Sequence, residues 1–70
     1  MDYTQRVEQL RAMLAEIETA QTLAQLQLLS VRYIGHDNAG EDSQELRAIL
    51  VDFMREVAAA ENIHWSELRD

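Results

Sequence analysis

Four side chains able to hold a cation, His36, Asp37, Glu41 and Asp42, fall within seven consecutive positions. A calcium loop needs oxygen ligands at alternating positions, a glycine sixth and a bidentate glutamate twelfth. With Gly40 in the sixth place the frame begins at Gly35, carries Ala39 fifth and ends on Leu46, and none of these supplies a side-chain oxygen. The cluster therefore reads as a solvated loop whose acids suit a following helix N-terminus. His64 has no histidine or glutamate at the helical spacing of a zinc pair. Cysteine is absent, which excludes both a thiolate zinc site and a disulfide. Neither a metal nor an organic cofactor is expected.

Catalysis by carboxylates needs two of them in a cleft that drives their pKa values apart. Glu16 with Glu18, and Asp52 with Glu56, are close enough in sequence, but both pairs fall on polar helix faces. Ser30, Ser43 and Ser66 lack the flanking glycines of a nucleophile elbow. Gly35 and Gly40 do not make a phosphate-cradling loop. No catalytic residue is assigned, and the chain is expected not to be an enzyme.

The elements that carry these residues are helical. A hydrophobic content of 47% with only 6% aromatics, two Gly and no Pro fits an Ala- and Leu-rich helical protein. Val7, Leu10, Leu14 and Ile17 recur at spacings of three and four, predicting a helix over about 3–19 capped by Asp2 or Thr4. Thr22 and Gln25 have the spacing of a capping box, predicting a second helix over about 22–34. The alternative is one unbroken helix to Ile34, whose stripe would continue through Gln21, Ala24, Leu28 and Val31. Gly35, Asn38 and Gly40 mark a loop over 35–42. Asp42 and Glu45 then begin a helix over about 43–61, with Leu46, Ile49, Leu50, Phe53, Met54, Val57 and Ala60 on one face and Arg47, Asp52 and Glu56 opposite. Ile63, Trp65 and Leu68 form a short C-terminal turn over 63–69, with Trp65 as a lid on the bundle or an anchor for a partner.

The fold expected is all-α: one domain over residues 1–70, either three helices or a long and a short helix in a hairpin, completed by dimerisation. The reason for the dimer is a second apolar face. Past Ile17, the residues Leu23, Leu26, Leu29, Tyr33 and Ile34 lie almost opposite the continuing first stripe, so this stretch needs cover on two sides. A chain this small also gains from self-association. These five residues, with Trp65, are the expected interface.

Leu23, Leu26, Val31, Arg32, Tyr33, Ile34 and Gly35 make a run that resembles the N-terminal helical region of the phenylalanyl-tRNA synthetase α subunit, where a Leu-rich helix ends in a similar segment. The likeness spans about a fifth of the chain. It implies a helix ended by glycine. The lysines that follow the glycine in that family are replaced by His36 and Asp37, so the tRNA contact does not carry over.

Charge narrows the partners. Thirteen acids face six bases, all arginine, for a net charge of −7. Four acids and three bases precede residue 35, net −1; nine acids and three bases follow, net −6. That field repels phosphate backbones and anionic lipid, so neither direct nucleic-acid binding nor membrane binding is expected. Charged residues interrupt every apolar run, and no basic stretch opens the chain, so a cytoplasmic protein is expected. The function expected is that of an adaptor, co-chaperone or regulator working as a homodimer on a protein partner. The alternative is an acidic, antitoxin-like inhibitor that fills the basic groove of a toxin or nucleic-acid-binding protein.

Overall fold

The computed structural model describes residues 2–69, which form α1 (Tyr3–Thr19), α2 (Leu23–Tyr33), α3 (Ser43–Ala60) and the single turn α4 (Ser66–Arg69). The class is all-α. Each long helix starts on an oxygen cap that satisfies a backbone N–H left open by the helix geometry. Gln5 N–H donates to Asp2 and Glu45 N–H to Asp42, both at 2.8 Å. At α2 the capping box is complete: Gln25 N–H donates to Thr22 Oγ1 and Thr22 N–H to Gln25 Oε1, each at 3.1 Å.

The chain therefore breaks between Thr19 and Thr22. An unbroken helix over residues 3–34 would run about 48 Å at 1.5 Å per residue, longer than the 36 Å long axis of the molecule. Ala20 takes an extended conformation at ψ 132°, which ends α1. Arg47, reaching across from α3, donates Nη1–H to the carbonyl of Ile17 at 2.5 Å and Nη2–H to that of Ala20 at 2.8 Å. A charge-assisted contact of this kind stabilises by about 1.5 to 3 kcal/mol. Arg47 is thus half-buried and structural, a correction to its expected place on the outer polar face.

The other helix ends use left-handed residues. Gly35, at φ 103°, follows α2. Asn62, at φ 58°, closes α3 in a Schellman motif, with Ile63 N–H on Ala58 O at 2.9 Å and Asn62 N–H on Ala59 O at 3.2 Å. This reversal sends the chain back along α1, where α4 docks.

α3 is the centre of the bundle, with α1 and α2 packed on it. Arg6 near the start of α1 pairs with Glu61 just past the end of α3, so α1 and α3 are antiparallel. The core consists of Leu10, Leu14 and Ile17 from α1, Leu26 and Leu29 from α2, Leu46, Leu50, Met54 and Ala58 from α3, and Ile63 and Leu68 from the tail. Ser30, the one buried polar side chain among the described residues, donates to His36 O at 2.5 Å and accepts from Asn38 Nδ2 at 2.8 Å. That pair of bonds ties the 35–42 loop to α2.

Candidate interaction surfaces

The residues expected at an interface separate into three groups. Leu26, 0% exposed, and Leu29, 6% exposed, lie in the protomer's own core. A second copy cannot reach them, which corrects their assignment as contact residues. The physical reason is the turn at Ala20–Thr22: by redirecting α2 onto α3 it rotates the Leu26 and Leu29 stripe inward. Tyr33, Ile34 and Trp65 are half-buried and pack against the core edge. Leu23 remains open, at 37%.

The apolar surface that α2 leaves outside belongs to the other stripe. Leu28 is 65% exposed and Val31 51%, with Ala24 beside them. These are the residues at which a continued first stripe would fall. The sequence contained the signal, since two apolar faces were present; it did not say which would turn inward.

Trp65 is clasped by cations. The Arg55 guanidinium lies 4.7 Å from the ring centroid and that of Arg69 5.9 Å. Arg69 also pairs with Glu18 at 2.7 Å. The indole is partly buried against the core, with both guanidiniums over its ring.

A shallow groove of about 290 Å³ runs on the other side of α3, lined by Ile34 from the end of α2 and by Ile49, Asp52, Phe53 and Glu56. The three apolar residues are half-buried, and both carboxylates are exposed. No hydrogen bond or ion pair within the described residues engages Asp52 or Glu56.

Several other chemistry-bearing side chains are committed to the fold. Asp42 caps α3, and Asp37 accepts from Ala39 N–H at 3.1 Å. Among the described residues no three His, Asp or Glu side chains converge on a metal position. Glu16 accepts from Tyr33 Oη at 2.5 Å and pairs with Arg32 at 3.4 Å. Burial, and then this bond to Glu16, raise the Tyr33 pKa. At the head of α3, the Glu45 carboxyl is raised by hydrogen bonding with Glu41 and by the nearby Asp42 charge. Glu61 is lowered by its hydrogen bonds from Arg6.

One pairing escaped sequence reasoning. His64 Nδ1 lies 2.8 Å from Ser66 Oγ and accepts from Ser66 N–H at 3.3 Å. The His64-x-Ser66 spacing was its only trace. The imidazole here caps α4: the contact is local and solvent-exposed, and among the described residues no carboxylate orients the ring, whereas a nucleophilic pair needs both an oriented base and an oxyanion site.

No family model matches the chain, and neither a characterised protein nor a solved structure shows significant similarity to it. Among the described residues no helix is long and apolar enough to cross a membrane.

Proposed function

We propose that this protein is a small, non-enzymatic interaction module that works in the cytoplasm as a helical homodimer and binds another protein. The observation that carries this reading is the outward stripe of α2, where Leu28 and Val31 stand more than half exposed on a helix whose other face is already in the core. Pairing two such stripes about a two-fold axis takes their apolar side chains out of water, and because association carries its own entropic cost, dilution reverses the contact.

The contact residues proposed are therefore Leu28 and Val31, with Leu23 open at the start of the same helix. Solution mass over a dilution series tests the reading. Wild type should approach dimer mass at high concentration, and Leu28→Asp with Val31→Asp should remain monomeric with an unchanged helical circular dichroism spectrum. A wild-type chain monomeric throughout the series would sink the homodimer.

A second reading is favoured by the unpaired carboxylates of α3. In it the acidic half of the chain engages a basic surface, as an inhibitor would. That binding should weaken steeply as salt rises, whereas an apolar contact should not.

A further inference from the structure

We propose that the groove between the end of α2 and the outer flank of α3 receives a basic amphipathic helix from a partner protein. The inference rests on the reading of this chain as an interaction module, and it names the surface and the partner's chemistry. The floor is apolar: Ile49 and Phe53 stand one turn apart on α3, and Ile34 meets them from α2. The rim is anionic. Asp52 and Glu56 are also one turn apart, and like charges at that spacing destabilise a helix slightly.

The chain carries a cation that could relieve this. Arg55 lies three residues beyond Asp52, within reach along the helix, yet its guanidinium stacks on Trp65 at 4.7 Å. The three ion pairs formed within the described residues use Glu16, Glu18 and Glu61. The rim therefore carries two carboxylates with no ion-pair partner among the described residues, beside half-buried apolar side chains, on the half of the chain that holds net −6. A helix with one apolar stripe flanked by Lys or Arg complements both features: its stripe covers Ile34, Ile49 and Phe53, and its cations neutralise Asp52 and Glu56.

The probe is a synthetic peptide of about 18 residues, five helical turns, with leucine at i, i+3, i+4 and i+7 and lysine elsewhere. A control keeps the leucines and replaces lysine by glutamate. Titration followed by backbone amide NMR should shift Ile34, Ile49 and Phe53 with the lysine peptide and leave them unmoved with the control. Asp52→Lys with Glu56→Lys should weaken binding by about tenfold or more, with an unchanged melting temperature verifying the fold.

Leu28→Asp with Val31→Asp should bind the peptide as wild type does. Shifts scattered over every acidic surface, shifts centred on the outward stripe of α2, or equal affinity of the Asp52 and Glu56 variant would each overturn the proposal. Mass measured on the same samples separates it from the dimer. A monomer that takes the peptide in the groove refutes self-association alone, and a dimer that ignores the peptide refutes the groove alone.

Discussion

The two flanks of α3 share one helix and one core, yet use their charges in opposite ways. On the flank toward α1 and the tail, the arginines are turned on the protein itself. Arg47 holds the last carbonyls of α1. Arg55 and Arg69 clasp Trp65, and Arg69 also takes Glu18. On the flank toward Ile34, Asp52 and Glu56 hold nothing among the described residues. In a chain with thirteen acids and six bases, scarce cations go where they close the fold, and the surplus anions are left facing outward. One flank therefore maintains the structure, and the other is the surface proposed for a partner.

The largest expected effect lies beneath both flanks. Leu50, with no exposed surface, supports the helix from which both project, and Leu50→Ala should cost about 2 to 5 kcal/mol. Denaturant unfolding would measure it. For a domain of this size that is a large part of the total stability, estimated at about 3 to 10 kcal/mol. A smaller loss would mean that the core relaxes around the cavity and that the flanks are less rigidly coupled than their common helix implies.

Arg47→Ala should come next, at about 2 kcal/mol, because it leaves the Ile17 and Ala20 carbonyls to water. Arg47→Lys should recover only part of this, since a single ammonium cannot reproduce the two-pronged fork. Equal stability of the lysine variant and wild type would show that charge, rather than the fork, closes the α1 to α2 turn.

The contrast between the flanks is sharpest in a matched pair of conservative changes. Arg55→Gln should lose about 0.5 to 1 kcal/mol as the stacking on Trp65 is removed. Asp52→Asn should gain about 0.2 to 0.5 kcal/mol by relieving its repulsion with Glu56. Thermal melts of the two variants should therefore move in opposite directions. If Asp52→Asn destabilises, Asp52 has a structural role and the outer flank is not idle.

The smallest effect is read by pH. Carboxyl NMR should place the Glu45 midpoint above the ordinary glutamate value and that of Glu61 below it. A carboxyl with a raised folded pKa favours folding when protonated, so the repulsion at Glu45 is relieved as pH falls through its folded pKa and returns as pH rises. Glu61 has the opposite sign. Its contribution is present above its unfolded pKa and disappears as pH falls through its lower folded one. Glu61→Gln should accordingly reduce the acid sensitivity of the fold, while Glu45→Gln should remove a source of repulsion at neutral pH. A reversed order of the two midpoints would break the assignment of Arg6 as a partner and Glu41 as a competitor.

Much of the architecture was readable from neighbouring residues. The Val7 to Ile17 stripe, the Thr22 and Gln25 spacing, the Asp42 cap and the helix-ending Gly35 each depend on residues only a few positions from the next. The surface was less legible. Leu23, Leu26, Leu29, Tyr33 and Ile34 looked like one face needing an outside partner, whereas Leu26 and Leu29 are buried in the protomer's own core, and Leu28 and Val31 are left open. Arg47 looked like a solvated charge, and nothing local could reveal carbonyls contributed by residues about thirty positions earlier. The groove joins Ile34 to Phe53, so it exists only once the two helices meet.

What the linear order determined on its own, then, was the helical class, the candidate caps and the surplus of negative charge, because these depend on composition and on backbone groups within a turn or two; whether the chain breaks at Thr19–Thr22 was left to the structure. Which stripe of α2 faces inward was settled only by the tertiary structure. Both stripes satisfy the helical period equally, and the choice between them is a rotation of α2 about its own axis. That rotation is set by the turn at Ala20–Thr22, the grip of Arg47 and the packing against α3.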